Sequence, residues 1–271
     1  MKISIIIATI NDGLILPLTL DSIFNQTHLD VEVIVVDGLS KDNTVNLLKG
    51  IKDKKLSWWM SERDNGIYDA WNKALKHING EWVLFLGAGD ELWNKDVLKD
   101  FVDYVKHIQN PSRILYGVVA LEDNNRLIKN YIGNEWNKVQ KKFRDGAVML
   151  PHQGVFHRSD IFLHDNKFDS SFKISGDYEF LLRVLKNEDA HFIPSFIVSR
   201  MMSGGISGGF NNTNLLKESL RARKNNGGRE TVFTLLLRIR YFIRSFLIIF
   251  FGKNLTMKIN SKITKLLNIR E

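Results

Sequence analysis

The chain has no cysteine, only four prolines, and no run of about 20 apolar residues free of charge. Without cysteine there is neither a disulfide framework nor a thiolate metal site. Few prolines and 44% hydrophobic residues exclude disorder over most of the length. No G-x-G-x-x-G follows the first apolar segment, which disfavours a dinucleotide oxidoreductase. The opening MKISIIIATIND has one lysine and a short apolar run leading into polar residues, a poor signal peptide and a good first strand. A cytoplasmic location is therefore expected. The formal net charge is +8, but the excess sits mainly toward the C-terminus, where Lys and Arg recur and acids are scarce. Those basic residues interleave with an aliphatic run and are not set around stacking aromatics, so no nucleic-acid partner is expected.

What is present is an alternation of strand and helix. At 271 residues the chain can bury a sizeable core, as one generous domain or one domain with an appendage. ISIIIA reads as a strand, Leu14 to Phe24 as a helix, VEVIVV as a strand and Thr44 to Ile51 as a short helix. The centre of the pattern is Lys55 to Asp90. In it LSWWM and EWVLFL are almost unbroken apolar runs that suit strands covered on both faces. Between them Asp64-Asn65-Gly66 signals a turn opening a helix that runs to about His77. Lys95 to Ile108 is a further helix. Such alternation predicts an α/β fold with a Rossmann-like, mostly parallel central sheet flanked by helices. Later, RILYGVVAL, NRLIKNYI, GVFHRS and HFIPSFIVSRMM read as strands, and Asp177 to Lys186 and Leu215 to Lys224 as helices. The expected division is one domain over 1–210, with halves 1–110 and 111–210, and a helical extension over 211–271.

Three acids sit where chemistry is plausible. Asp37 follows VEVIVV directly, where a carboxylate can accept hydrogen bonds from a base or ribose. The same residue, with Asp42, could simply shape the turn and cap the next helix. Asp90 ends LFLGAGD, just past a buried strand, where one carboxylate can hold Mg²⁺ or Mn²⁺ completed by water and phosphate. It could equally cap the helix that begins near Lys95. Asp177, in KISGDYEFLLR, opens a helix; it is a general base if it faces a cleft and an ordinary first-turn acid if it does not. In PHQGVFHRS, His152 and Gln153 precede a strand, and His157 alternates with Phe156, so it reads as solvated. SGGISGG, from Ser203 to Gly209, is either a closing loop or a flexible connection.

The stretch 231–252 is the most apolar of the chain, yet Arg238, Arg240 and Arg244 interrupt it. Each arginine near the centre of a spanning helix costs about 2.5 to 3.5 kcal/mol on insertion scales, which argues against spanning. A helix lying in the membrane interface, its arginines meeting anionic headgroups, accounts for the pattern. The alternative is a helix packed on the protein or in a homodimer.

ISIIIATIND, VVDGLSKDNT, ERDNGIYDAWNKAL, NGEWVLFLGAGD and SGDYEFLLR, in that order, resemble the inverting nucleotide-sugar glycosyltransferases of family 2, with the GT-A fold. The likeness covers roughly 1–202, and GIYDAWNKAL with GEWVLFL looks like the branch that assembles bacterial surface polysaccharides. The resemblance implies a nucleotide-sugar donor, a UDP-sugar above all, lined by Thr9, Asn11, Asp37, Asp64 and Asp69. Asp69 also has Lys73 one helical turn on, so a surface ion pair is its other reading. It implies that Asp90 is the last acid of a metal motif for Mg²⁺ or Mn²⁺, and that Asp177 is the base that deprotonates the acceptor hydroxyl. His152 and Gln153 match a segment on the acceptor side. A lipid-linked saccharide acceptor would give 231–252 a purpose at the inner face of the cytoplasmic membrane. The sequence departs from the family twice: Gly87 and Gly89 leave Asp90 as the one acid of its turn, and Gly176 replaces the usual acidic neighbour of Asp177. A sugar-nucleotide-binding protein without catalysis is the other reading of that thinned metal turn.

Overall fold

A computed structural model describes residues 1–202 and 213–228, with positions 235 and 239. The expectations placed on 203–209 and on most of 231–252 therefore lie outside the described residues. Four apolar runs form β1 (Ile3–Thr9), β2 (Val31–Asp37), β3 (Leu56–Ser61) and β4 (Trp82–Gly87), paired in parallel in the order β3-β2-β1-β4. They alternate with α1 (Leu16–Phe24), α2 (Thr44–Gly50) and α3 (Ile67–Ala74). After a two-residue β5 (Glu91–Leu92) and α4 (Val97–Lys106) come β6 (Ile114–Glu122), β7 (Ile128–Ile132), α5 (Trp136–Arg144) and β8 (Val155–Arg158). The last described elements are α6 (Gly176–Val184), β9 (His191–Met202) and α7 (Thr213–Asn225).

Side-chain alternation explains the two layers. Ile3, Ile5 and Ile7 of β1 pack with Val33, Val35, Leu84 and Leu86 against Leu16, Leu20, Ile23 and Phe101 of α1 and α4. Ile6, Ile34, Val36, Val83 and Phe85 point the other way, against Tyr68 and Trp71 of α3 and Phe180 of α6. Burying each such side chain is worth about 1.5–3 kcal/mol, so the strands are held from both faces. Glu32, inside the apolar β2, is buried yet satisfied: Ser4 Oγ donates to it at 2.6 Å and Asn79 Nδ2 at 3.2 Å.

Beyond β4 the sheet becomes mixed. β8 runs antiparallel to both β4 and β6, β9 is parallel to β6, and β5 and β7 pair antiparallel with β9 and β6. Pro194 is tolerated because β9 bulges there. Tyr116 pairs with Phe192, but Val118 pairs with Ile197, so residues between them leave the ladder.

Several expectations change. LSWWM is the outer strand and not a doubly covered one: among the described residues β3 pairs only with β2, and its residues are half-buried apart from the exposed Ser57. An unbroken apolar run does not distinguish the two cases, because Trp58 and Trp59 meet opposite core layers even at the edge. α5 escaped the sequence reading because only Trp136, Val139 and Phe143 face inward along a strongly basic helix. α7, which falls in the expected extension after 210, packs against α6. Among the described residues no helix is long and apolar enough to cross a membrane.

Candidate active site at the carboxyl ends of the strands

Parallel strands end together, so residues just past them share one rim. Thr9 of β1 is in register with Asp37 of β2, and Ala8 with Gly87 of β4. Thr9, Asn11, Asp37, Asp64 and Asp69 all lie on this side, but their polar side-chain atoms are largely occupied. Asp37 is fully buried; Ser40 N donates to its Oδ2 at 2.9 Å and Ser61 Oγ at 2.5 Å, while Ser40 Oγ donates to Oδ1. Asn11 adopts a left-handed backbone (φ 56) and locks onto the same loop, accepting from Lys41 N at 2.8 Å and donating its own N–H to Ser40 Oγ. Thr9 Oγ1 donates to Asp12 at 2.9 Å. Asp42 accepts from Thr44 N and Oγ1 and from Gly13 N, and these bonds hold it below the ordinary carboxylate range.

Asp64 and Asp69 flank the turn before α3. Asp64 Oδ1 accepts from Gly66 N at 2.9 Å, and its Oδ2 lies 2.8 Å from where a β-carbon on Gly38 would sit, so the turn closes over the β2 loop. Asp69 Oδ2 accepts from Asn65 N at 2.9 Å and lies 3.7 Å from Lys73 Nζ, which is nearer to Glu62 at 2.7 Å.

Asp90 is different. It does not cap α4, which begins at Val97 after Asp96; it ends the turn after β4 and is followed by β5. Its side chain is buried, Gly87 N donates to Oδ2 at 2.8 Å, and the Gln153 side chain also hydrogen-bonds to it. Burial pushes the carboxyl up to about 7, against those two bonds. Thr19 on α1 braces the turn, accepting from Gly89 N at 2.8 Å. The next residue, Glu91, is clamped by Arg200 Nη2 at 2.7 Å and by Arg126, and Glu122 joins the same buried cluster. Among the described residues no three His, Cys, Asp or Glu gather as a ligand set. A cation here would rest on one carboxylate plus water and phosphate, and a buried carboxylate with only neutral donors fits that role.

Asp177 stands in the first turn of α6, half-buried, with Tyr68 Oη donating to Oδ1 at 3.1 Å and to the Ile174 carbonyl at 2.7 Å. Burial raises its carboxyl above the ordinary range; the bonds from Tyr178 N and Tyr68 act in the opposite direction, and the charge of Glu218 adds to the rise. Gly176 is glycine because a β-carbon there would lie 2.7 Å from the Tyr68 ring. The space that a side chain at 176 would take is filled by that ring.

α3 joins Asp177 to Asp90. Tyr68 packs edge-on to Trp71 (5.4 Å), Trp71 stacks on His152 (4.9 Å), and the next residue, Gln153, reaches Asp90. His152 is buried, neither ring nitrogen has a hydrogen-bond partner among the described residues, and burial holds it well below its ordinary pKa. His157, expected in solvent, is instead fully buried among Phe85, Phe162 and Phe180, and burial depresses it to about 3. The reason is that β8 is an inner strand, so both of its faces are covered. Sequence reasoning missed Ser40, Ser61, Tyr68, Gln153 as a partner of Asp90, and Glu218. Of these only Ser40, three residues after Asp37, carries a local signal, that of a side-chain turn.

The family model for glycosyl transferase family 2 matches residues 4–165. A PGL/p-HBAD biosynthesis glycosyltransferase of Mycobacterium bovis is 30% identical over 220 residues, which is 80% of this chain and 82% of that protein. Among solved structures, S. aureus TarS 1–349 in complex with UDP has a TM-score of 0.64 at 20% identity over 83% of this chain. The chain spans 65% of the length of that structure. Mannosyltransferase PcManGT from Pyrobaculum calidifontis, solved with GDP-Man and Mn²⁺, has a TM-score of 0.60 at 14% identity, over 99% of this chain and 81% of that one. At these identities the structural likeness shows the fold, a GT-A arrangement of a mostly parallel sheet flanked by helices.

Proposed function

The chain belongs to glycosyl transferase family 2, and from that premise we propose that it moves a sugar from a nucleotide-sugar donor to an acceptor hydroxyl with inversion. The observation that carries this reading is Asp177. It is a half-buried carboxylate at a helix start, raised by burial, held by Tyr68, and linked through α3 to the Asp90 turn. Thr9, Asn11, Asp64 and Asp69 border the donor, and Asp37 holds the Ser40 loop beneath the nucleoside. Asp177 accepts the proton of the acceptor hydroxyl as its oxygen bonds to the anomeric carbon. The bond from that carbon to the diphosphate breaks with its electron pair on the leaving group. Asp90 would hold Mg²⁺ or Mn²⁺, whose chemistry when bound is to neutralise the diphosphate charge.

The donor is a UDP-sugar and the acceptor a lipid-linked saccharide. TarS, with its UDP complex, supports the first through the shared fold, and the apolar, arginine-bearing 231–252 supports the second. The protein works in the cytoplasm, peripheral on the inner face of the cytoplasmic membrane. The test is release of nucleoside diphosphate from a panel of nucleotide sugars, with Mg²⁺ or Mn²⁺ and a membrane-lipid extract. Lipid-dependent turnover that Asp177→Asn abolishes supports the reading. Donor binding without turnover against any acceptor would instead make the chain a sugar-nucleotide-binding protein.

A further inference from the structure

The sequence leaves Asp177 without its usual acidic neighbour, because position 176 is glycine. The fold supplies a carboxylate from elsewhere. Glu218, on α7, reaches the segment that leads into α6: Lys173 N donates to its Oε1 at 2.9 Å, and Ile174 N and Ser175 N donate to its Oε2 at 2.8 and 2.9 Å. Three consecutive backbone N–H groups thus close on one side chain, two to four residues before Asp177. They belong to the turn that leads into α6, whose N-cap is Ser175, so Glu218 fixes the entry of the helix and not its first turn. Ser219 adds a contact to Ser175, Oγ to Oγ at 3.4 Å. The same segment is gripped from the opposite side, where Tyr68 Oη donates to the Ile174 carbonyl at 2.7 Å and Lys173 Nζ reaches the Asn65 carbonyl.

We propose that Glu218 is the positioning residue for Asp177: it fixes the backbone from which the base projects, and it restores in space the second acid that the sequence lacks at 176. This rests on Asp177 being the base. The groups around Asp177 are the Tyr68 hydroxyl from α3, Glu218 from α7, Lys173 in the leading segment, and Glu179 on its own helix, which pairs with Arg183 at 2.8 Å. Of these Glu218 is the negative group that raises Asp177 further. A raised base is ionised only at higher pH, so removing that charge moves the acidic limb of catalysis downward.

Two variants weigh charge against grip. Glu218→Gln loses the charge and, because its amide nitrogen cannot accept, the backbone bonds on one side of the group; Glu218→Asp keeps the charge and both acceptor oxygens and loses reach by one methylene. The full chain, labelled with carbon-13 at aspartate Cγ, is titrated by NMR, with the Asp177 signal assigned by its loss in Asp177→Asn. In Glu218→Gln the Asp177 midpoint is expected to fall by about half to one unit, and the acidic limb of kcat/KM for nucleoside diphosphate release to fall with it. In Glu218→Asp the midpoint stays while kcat drops about tenfold with donor KM unchanged. A midpoint unmoved in Glu218→Gln, or a kcat unmoved in Glu218→Asp, overturns the proposal; if Glu218→Gln does not fold, the aspartate variant decides. Failure of the base assignment shows separately, as wild-type turnover by Asp177→Asn.

Discussion

The two sides of the strand-end rim treat their acids in opposite ways. On the β1–β2 side, Asp12, Asp37, Asp42, Asp64 and Asp69 each accept from neighbouring N–H or O–H groups, and they shape the loops at the ends of those strands. On the α3–α6 side, Asp90 and Asp177 are raised by burial, and His152 and His157 are held neutral beside aromatic rings. A carboxylate surrounded by donors is a structural brace, because its charge is already spent on the backbone. One that is desolvated and only partly compensated is poised to take a proton or a cation. An acid count from sequence merges the two classes; their hydrogen bonds separate them.

That contrast can be broken experimentally. The largest effect is expected for Asp90→Asn, which keeps the bond from Gly87 N but loses the charge. Turnover should fall about 100-fold or more, and the dependence of rate on Mn²⁺ concentration should disappear, as read by nucleoside diphosphate release. Turnover with an unchanged metal dependence would move Asp90 to the bracing class. Next comes His157, whose ordinary value of 6.5 falls to about 3 in the folded chain. A histidine depressed by folding contributes stability above 6.5 that is lost as pH falls toward 3. At pH 5 the loss should reach about 2 kcal/mol, and His157→Phe should remove that part of the slope in urea melts at a series of pH values.

Smaller effects are expected on the braced side. Ser61→Ala removes the 2.5 Å donor to Asp37 and should cost about 1–2 kcal/mol of stability in denaturant melts. It should leave kcat nearly unchanged, because Asp37 keeps both bonds from Ser40. The smallest effect belongs to Lys73→Met. Its ion pairs with Glu62 and Asp69 are partly exposed, so the loss should stay within about 0.5–1 kcal/mol and shrink further in high salt. A loss above that range would show that the turn before α3 depends on charge and not on the backbone bonds of Asp64 and Asp69.

Much of the fold was legible because its signals are local. β1, β2 and β4 are mostly apolar runs that became inner strands, and Asp64-Asn65-Gly66 did open α3. The placement of Asp37 and Asp90 at strand ends followed from where those runs stop. The burial of His157 was not legible, since it depends on β8 lying between β4 and β6, strands far from it in sequence. Nor were Tyr68 and Asp177 legible as partners, being 109 residues apart.

The sequence by itself determined the alternation of elements, the end of the sheet at which acids gather, and the family motifs. These depend on side-chain periodicity and turn chemistry within a few residues. Only the tertiary structure decided which acids are braced and which are raised. It set Ser61 against Asp37, Gln153 against Asp90, and Tyr68 and Glu218 around the start of α6. The physical reason is that desolvation and hydrogen bonding depend on what surrounds a carboxylate in space, and those neighbours come from parts of the chain that meet only when it folds.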